Sequence, residues 1–249
     1  MAEDLYDIVI LGGGSGGYAC ALRSAQLGKK VALIEEDKLG GTCLHRGCIP
    51  TKALLHAAEV ADSTRESELF GVQATLQGID MAGVNKYKDG VVSRLYKGLQ
   101  GLVKSRDITY VTGTGRLVGK DAVEVDGQTY RGRAVVLATG SFARSLPGLD
   151  IGGRIITSDQ ALQLDFVPKS AIVLGGGVIG VEFASVWTSF GAEVTIVEAL
   201  PRLVPAEDEA CSKALERAFR KRKIAFHTGV RFSGATQDAS SVTVTLEDG

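Results

Sequence analysis

Two cysteines, Cys43 and Cys48, are separated by four residues within Gly-Gly-Thr-Cys-Leu-His-Arg-Gly-Cys-Ile-Pro-Thr-Lys, the stretch from Gly40 to Lys52. A thiol pair this close can carry two electrons by cycling between dithiol and disulfide. A continuous helix through both would prevent it. Five residues of helix advance about 7.5 Å, beyond the roughly 4.4–6.8 Å Cα separation of a disulfide. The backbone must therefore bend, and Gly47 can bend. Pro50 suits the first turn of a following helix, whose unpaired N–H groups and positive dipole end would favour a thiolate at Cys48. Two other readings compete: a metal held by Cys43, His45 and Cys48, or two unrelated buried cysteines. Structural zinc takes four ligands, and Cys20 and Cys211 lie far off on expected helices as small core residues, so no metal site is expected.

The elements that must position these thiols begin with Asp7–Leu11, a buried strand running into Gly12-Gly-Gly-Ser-Gly-Gly17. Glycines 12, 14 and 17 fit the dinucleotide fingerprint: the first for a tight turn, the second for approach of a pyrophosphate, the third for close helix–strand packing. A helix over 18–27, stopped by Gly28, leads to a second strand, Val31–Glu35, whose terminal acid stands where a ribose hydroxyl needs an acceptor. The same pattern returns. Gly175, Gly177, Gly180, Gly191, Val194 and Glu198 each lie 163 residues after Gly12, Gly14, Gly17, Gly28, Val31 and Glu35. A repeat of strand, loop, helix, strand and acid in one register predicts two dinucleotide sites.

Between the units, 51–61 should continue as helix, 62–78 as a connection and 81–104 as a long amphipathic helix with its lysines on the wet face. Residues 108–111, 115–118, 122–125 and 128–131 read as a small antiparallel meander, and 134–138 as another buried strand ending in Thr139-Gly140-Ser141. Leu146–Gly153 has the turn chemistry of a domain connection, giving domains 1–146 and 147–249. Beyond Glu198, a helix over 207–223 gathers Arg217, Arg220, Lys221, Arg222 and Lys223 near its end, where cations suit the dipole; strands are expected at 224–226, 230–232 and 242–246.

With 249 residues, 45% of them hydrophobic, the chain can bury a substantial core, and a net charge of −1 gives no electrostatic case for nucleic acid or an anionic membrane. The first seven residues hold three acids and no basic segment, and no apolar run nears the roughly 18 residues of a membrane span, so a cytoplasmic location is expected. A reducing compartment argues for catalytic rather than static thiols. One dithiol and two dinucleotide sites imply a relay from a thiol substrate through the protein disulfide and a flavin to nicotinamide, since isoalloxazine handles both thiol adducts and hydride. FAD is expected in the first unit. NAD is expected in the second, because Glu198 would repel the 2′-phosphate of NADP.

Gly40–Lys52, both glycine units, Ala138–Ser141 and Gly175–Glu182 together resemble the pyridine nucleotide-disulfide oxidoreductases, and among them the dihydrolipoamide dehydrogenases. The resemblance implies an α/β fold with two Rossmann-like dinucleotide-binding units and the antiparallel meander inserted in the first. It implies that Cys48 faces the flavin and Cys43 is the interchange thiol. Lys52 would lie beside the flavin paired with Glu182, although both also fit ordinary surface charges. Thr42, Gly115, Thr139, Gly140 and Ser141 would line FAD, and Phe232 would meet NAD. The implied partner is a lipoyl domain of a 2-oxoacid dehydrogenase complex, within a homodimer. Arg202 is the only base near Glu198 that would suit an NADP-using relative. The resemblance covers about the first half of such proteins; the interface domain with its His-Glu acid–base pair would follow, and His45, His56 and His227 do not match that pair. Little turnover of dihydrolipoamide by this chain alone is therefore expected. A related disulfide reductase and a catalytically silent nucleotide-binding fragment are the alternatives.

Overall fold

Short apolar runs bounded by glycine form the strands of the computed structural model, which describes residues 5–247. The chain divides into two units. One comprises the chain up to Pro50 with Asp89–Phe142, the other Thr51–Lys88 with the chain from Ala143 onward.

In the first unit, β1 (Tyr6–Leu11), α1 (Ser15–Gln26) and β2 (Val31–Glu35) precede α2 (Gly41–His45) and the start of α3 (Cys48–Arg65). The end of α4 (Met81–Ser105) leads into β3 (Thr109–Thr112), β4 (Arg116–Gly119), β5 (Ala122–Val125) and β6 (Gln128–Leu137). These strands make one sheet in the order β3-β2-β1-β6-β5-β4. β1 is parallel to β2 and β6, which covers both its edges. The residues alternate between two buried faces. Ile10, Val31 and Leu33 pack with Ala21, Leu44, Leu99 and Val103, while Val9, Ala32 and Ile34 pack with Val123 and Val125. Each fully buried aliphatic side chain of this kind contributes roughly 1.5–3 kcal/mol.

The meander is β4-β5-β6, antiparallel throughout. The first expected member does not belong to it: β3 pairs parallel with β2 at the sheet edge. Alternation marks a strand without naming its partner, and the long α4 returns the chain in the parallel sense. Residues 128–131 and 134–138 also merge. β6 runs through Gly132, its first half pairing with β5 and its second with β1.

The second unit contains α5 (Ser158–Ala161), β7 (Ser170–Leu174), α6 (Val178–Phe190), β8 (Glu193–Glu198), α7 (Glu209–Lys221), β9 (Ala225–Thr228), β10 (Phe232–Gln237) and β11 (Val242–Leu246). β7-β8-β9 form a parallel sheet and β10-β11 a separate antiparallel hairpin. Its core joins Ala184, Trp187, Ile196, Leu203 and Phe219 to Leu54, Ala58 and Met81. The expected strand at 230–232 instead runs over 232–237, and α3 continues to Arg65 into a 3-10 turn at Ser67–Phe70, where the sequence suggested only a connection.

Two expectations about side chains are corrected. Lys88 of α4 is not on the wet face; it is 1% exposed, and its ammonium donates to the Leu162 carbonyl at 2.5 Å and to Asn85 Oδ1 at 3.0 Å. The carbonyl that closes α5 lies within reach of the long stem, which hydropathy alone does not register. Cys211 is exposed on α7 rather than buried, whereas Cys20 packs against the first unit's core. Of the cations ending α7, Arg222 is tied down: it donates to Ser185 and to Ser189 Oγ at 2.7 Å, with Asp62 at 3.5 Å.

Candidate functional site

The three glycines of each fingerprint have distinct surroundings. Gly12 has φ +105°, and a Cβ there would lie 2.1 Å from the Ala138 carbonyl oxygen. A Cβ on Gly17 would lie 1.8 Å from the Gly12 oxygen, and one on Gly180 2.0 Å from the Gly175 oxygen. The middle glycines are different. Gly14 and Gly177 cap α1 and α6 with no side-chain cap and no acid in either first turn. A Cβ on Gly177 would meet nothing within 4 Å, and one on Gly14 only Gly41 Cα at 3.8 Å. Two helix N-termini are thus left open, with unpaired N–H groups of the kind that hold a pyrophosphate.

Behind each loop stands its acid. Glu35 accepts from the Gly13 N–H at 2.6 Å and the Asp37 N–H at 2.9 Å. Glu198, 8% exposed, accepts from the Gly176 and Leu200 N–H groups, both at 2.7 Å. The contacts repeat with the same register as the residues. A carboxylate has about four acceptor sites, so each acid retains capacity for a ribose hydroxyl. The repeat also extends past the acids: Gly40 N–H donates to the Gly13 carbonyl at 2.8 Å, and Val204 N–H to the Gly176 carbonyl at 2.7 Å. Val204 holds φ +42°, a left-handed turn that a β-branched residue seldom adopts and that no glycine announces in the sequence.

The first of these return segments carries the thiols. Gly40 and Gly41 have φ +111° and +57°; Gly40 bridges to Gly14, and a Cβ on Gly41 would lie 2.6 Å from Gly14 Cα. The segment can approach the loop this closely only because Gly41 lacks a side chain, while a Cβ on Gly40 would instead strike Leu44 Cδ2 at 2.3 Å. Cys43 then lies on α2 and Cys48 opens α3, with the bend at residues 46–47. A Cβ on Gly47 would be 3.0 Å from the Thr42 carbonyl and 3.4 Å from Cys43 Cα, so the bend folds back upon Cys43. Cys43 is half-buried and Cys48 exposed.

Thr42 Oγ1 donates to the Ser141 carbonyl at 3.3 Å, joining this segment to Thr139, Gly140 and Ser141 beyond β6. Gly140 has φ +80° and open space around it, and Gly115 fits beneath Leu11 and Ile34, where a Cβ would fall 2.4 Å from Leu11 Cδ1. Gly12, Gly14, Gly17, Glu35, Thr42, Cys43 and Thr139–Ser141 therefore gather around the carboxyl ends of the parallel strands. Nearby, burial raises the Tyr110 phenol above its ordinary value, Thr112 and the Leu39 backbone opposing the shift.

In the second unit, Lys52 Nζ meets Glu182 Oε1 at 2.6 Å, joining α3 to α6 across 130 residues of sequence. Lys52 follows Cys48 by four residues on α3, and Glu182 follows Gly177 by five. Phe232 opens β10, half-buried, in the hairpin that stands apart from β7-β8-β9. The histidines are engaged elsewhere: His45 with the Leu39 carbonyl at 3.0 Å and His56 with Glu59 at 3.1 Å, while His227 is exposed on β9. Among the described residues no group of three or more His, Cys, Asp or Glu could hold a metal, and no helix is long and apolar enough to cross a membrane.

The family model for pyridine nucleotide-disulphide oxidoreductases matches residues 6–249. The chain belongs to this family. Dihydrolipoyl dehydrogenase of Bacillus subtilis is 43% identical over 97% of this chain and 54% of its own length. Among solved structures, LpdA of Mycobacterium tuberculosis superposes with a TM-score of 0.88 at 28% identity, over 97% of this chain and 55% of that one. The HOCl-induced flavoprotein disulfide reductase RclA of Escherichia coli gives 0.80 at 28% identity, over 98% and 54%. This chain thus spans about half the length of the relatives it matches, with the α/β dinucleotide-binding fold of the family and a pair of nearby cysteines that fits a redox-active centre. FAD and NAD are the cofactors of that family.

Proposed function

We propose that the protein containing this chain oxidises the dihydrolipoyl group of a lipoyl domain in a 2-oxoacid dehydrogenase complex, with NAD+ as acceptor. In this reading 1–146 form the FAD-binding domain and 147–249 the NAD-binding domain of a cytoplasmic homodimer. The observation that carries it is the seating of the thiol segment on a dinucleotide loop, through the Gly14–Gly40 bridge and the Gly40–Gly13 hydrogen bond.

The residues fit both cofactors. For FAD, the open α1 N-terminus at Gly14 would take pyrophosphate, Glu35 the ribose, and Thr42, Gly115 and Thr139–Ser141 the flavin side. For NAD, Gly175, Gly177 and Gly180 would seat pyrophosphate, Glu198 the ribose, and Phe232 and Glu182 the remainder. Arg202, the base that could have favoured NADP, is committed to the Glu207 carbonyl and Ser212 Oγ at 2.7 Å and the Pro205 carbonyl at 2.9 Å.

FAD, when bound, supplies the conversion between thiol exchange and hydride transfer. The protein's own part is disulfide exchange. Starting from the Cys43–Cys48 disulfide, a substrate thiolate bonds to Cys43 Sγ and the S–S bond breaks. Cys48 leaves as thiolate at the α3 N-terminus, where the positive end of the helix dipole favours negative charge. The second substrate thiolate then attacks the substrate sulfur, displacing Cys43 and closing the lipoyl disulfide. The substrate loses two electrons and two protons, and the protein pair gains the electrons. His45, His56 and His227 do not match the acid–base pair that the resemblance implies, so we expect the 249-residue chain by itself to turn over slowly.

The test is direct. After FAD addition, one flavin per chain, a long-wavelength band on two-electron reduction, and NAD+ binding at least about tenfold tighter than NADP+ are expected. A chain that takes up neither nucleotide overturns the reading. Lys52→Ala offers a separate check. An ion pair this exposed is worth about 0–1 kcal/mol, so unfolding should barely change. Flavin reduction by NADH in the loaded chain should nevertheless slow at least about tenfold, and an unchanged rate would make the pair structural.

A further inference from the structure

Cys43 sits on a helix too short to hold itself. α2 spans five residues, and at its ends Leu44 N–H donates to the Gly40 carbonyl at 3.4 Å and Arg46 N–H to the Thr42 carbonyl at 2.8 Å. Nucleating a helix is unfavourable, and a single turn needs support from outside.

His45 provides that support. Its Nε2 lies 3.0 Å from the Leu39 carbonyl, which can only accept, so Nε2 carries the proton and donates. The ring stands edge-on to Tyr96 of α4, centroids 5.0 Å apart at 77°. Leu39 is 1% exposed. The His45 tether therefore closes a loop from Leu39 to His45 upon an anchored peptide, with Gly40, Gly41, Thr42 and Cys43 inside it. His45 does not act directly on the neighbouring thiol from this position: residues i and i+2 of a helix point to different faces.

We propose that His45 is a positioning residue for Cys43. By holding the Gly40–Gly41 turn and α2 in one conformation, it sets the exposure and exchange reactivity of the Cys43 thiol. Without the tether α2 opens, Cys43 becomes more reactive, and the disulfide with Cys48 becomes harder to close. The inference rests on the reading of Cys43 and Cys48 as the redox pair.

The experiment uses the 249-residue chain with His45→Ala and His45→Gln, whose amide can place an N–H near the position of Nε2. Iodoacetamide labelling, followed by peptide mapping, gives separate rates at Cys43, Cys48, Cys20 and Cys211; glutathione buffers give the midpoint of the Cys43–Cys48 disulfide. In His45→Ala, labelling at Cys43 should rise about three- to tenfold, with Cys20 and Cys211 unchanged, and the disulfide should need about threefold or more oxidising buffer. His45→Gln should return both within about twofold of the unsubstituted chain. Equal Cys43 rates in all three proteins overturn the proposal, as does an equal rise at all four cysteines, which marks general loosening. A pair that never closes in any buffer instead refutes the redox reading, while the labelling ratio still reports the tether.

Discussion

Cys48→Ser is expected to abolish the long-wavelength absorbance of the FAD-loaded chain and to lower its reductive capacity by two electrons, from four to two. The disulfide and the flavin each accept two electrons, and removing one sulfur removes the disulfide whatever becomes of the other. Cys43→Ser should lose the same two electrons but differ in spectrum. In the proposed arrangement Cys48 opens α3, where the positive end of the helix dipole favours a thiolate, and it is exposed at the helix start. Freed from its partner, Cys48 would be an electron donor to oxidised flavin, so the Cys43→Ser chain should show the band before any reductant is added. A reductive titration followed by absorbance measures both quantities at once. If the two variants exchange behaviours, the roles of the cysteines are reversed. If both keep four electrons, the pair is not the redox centre.

How much of this was legible in the sequence depends on whether backbone or side chains set the feature. The glycine loops and the bend between the cysteines follow from backbone requirements that few residues can satisfy, and both occur where the residues indicate. Gly47 shows this well: the spacing of Cys43 and Cys48 demanded a break, and α2 and α3 meet at residues 46–47. Partner choice was less visible. β3 alternates like the meander strands, yet pairs with β2, because pairing is decided by the path of α4 rather than by local pattern. Val204 repeats the return to the loop made by Gly40 without a glycine to announce it. Lys88 and His45 were hidden for a related reason: each is fixed by one carbonyl oxygen, of Leu162 or Leu39, and sequence composition carries no record of where a carbonyl points.

The fingerprint glycines offer the sharpest separation of fold from function, because the structure assigns them different reasons for lacking a side chain. Gly17→Ala would place a methyl carbon 1.8 Å from the Gly12 oxygen, and Gly180→Ala one 2.0 Å from the Gly175 oxygen. Neither obstacle is a flexible side chain, so helix and loop must part. Overpacking costs typically 1–3 kcal/mol and more where backbone must move, and about 3 kcal/mol in a chain of this size lowers Tm by about 6–12 °C. Gly177→Ala meets nothing within 4 Å and keeps φ −71°, so it should fold with Tm within about 2 °C of the unsubstituted chain. Its methyl would stand at the open α6 N-terminus, where a pyrophosphate must touch backbone, and NAD+ binding should weaken at least about tenfold. Thermal unfolding and calorimetric titration of the three variants distinguish these effects. A Gly177→Ala chain that binds NAD+ normally would mean that the nucleotide does not seat on this loop, and an undisturbed Tm in Gly17→Ala would mean that α1 and its loop are less tightly joined than their geometry requires.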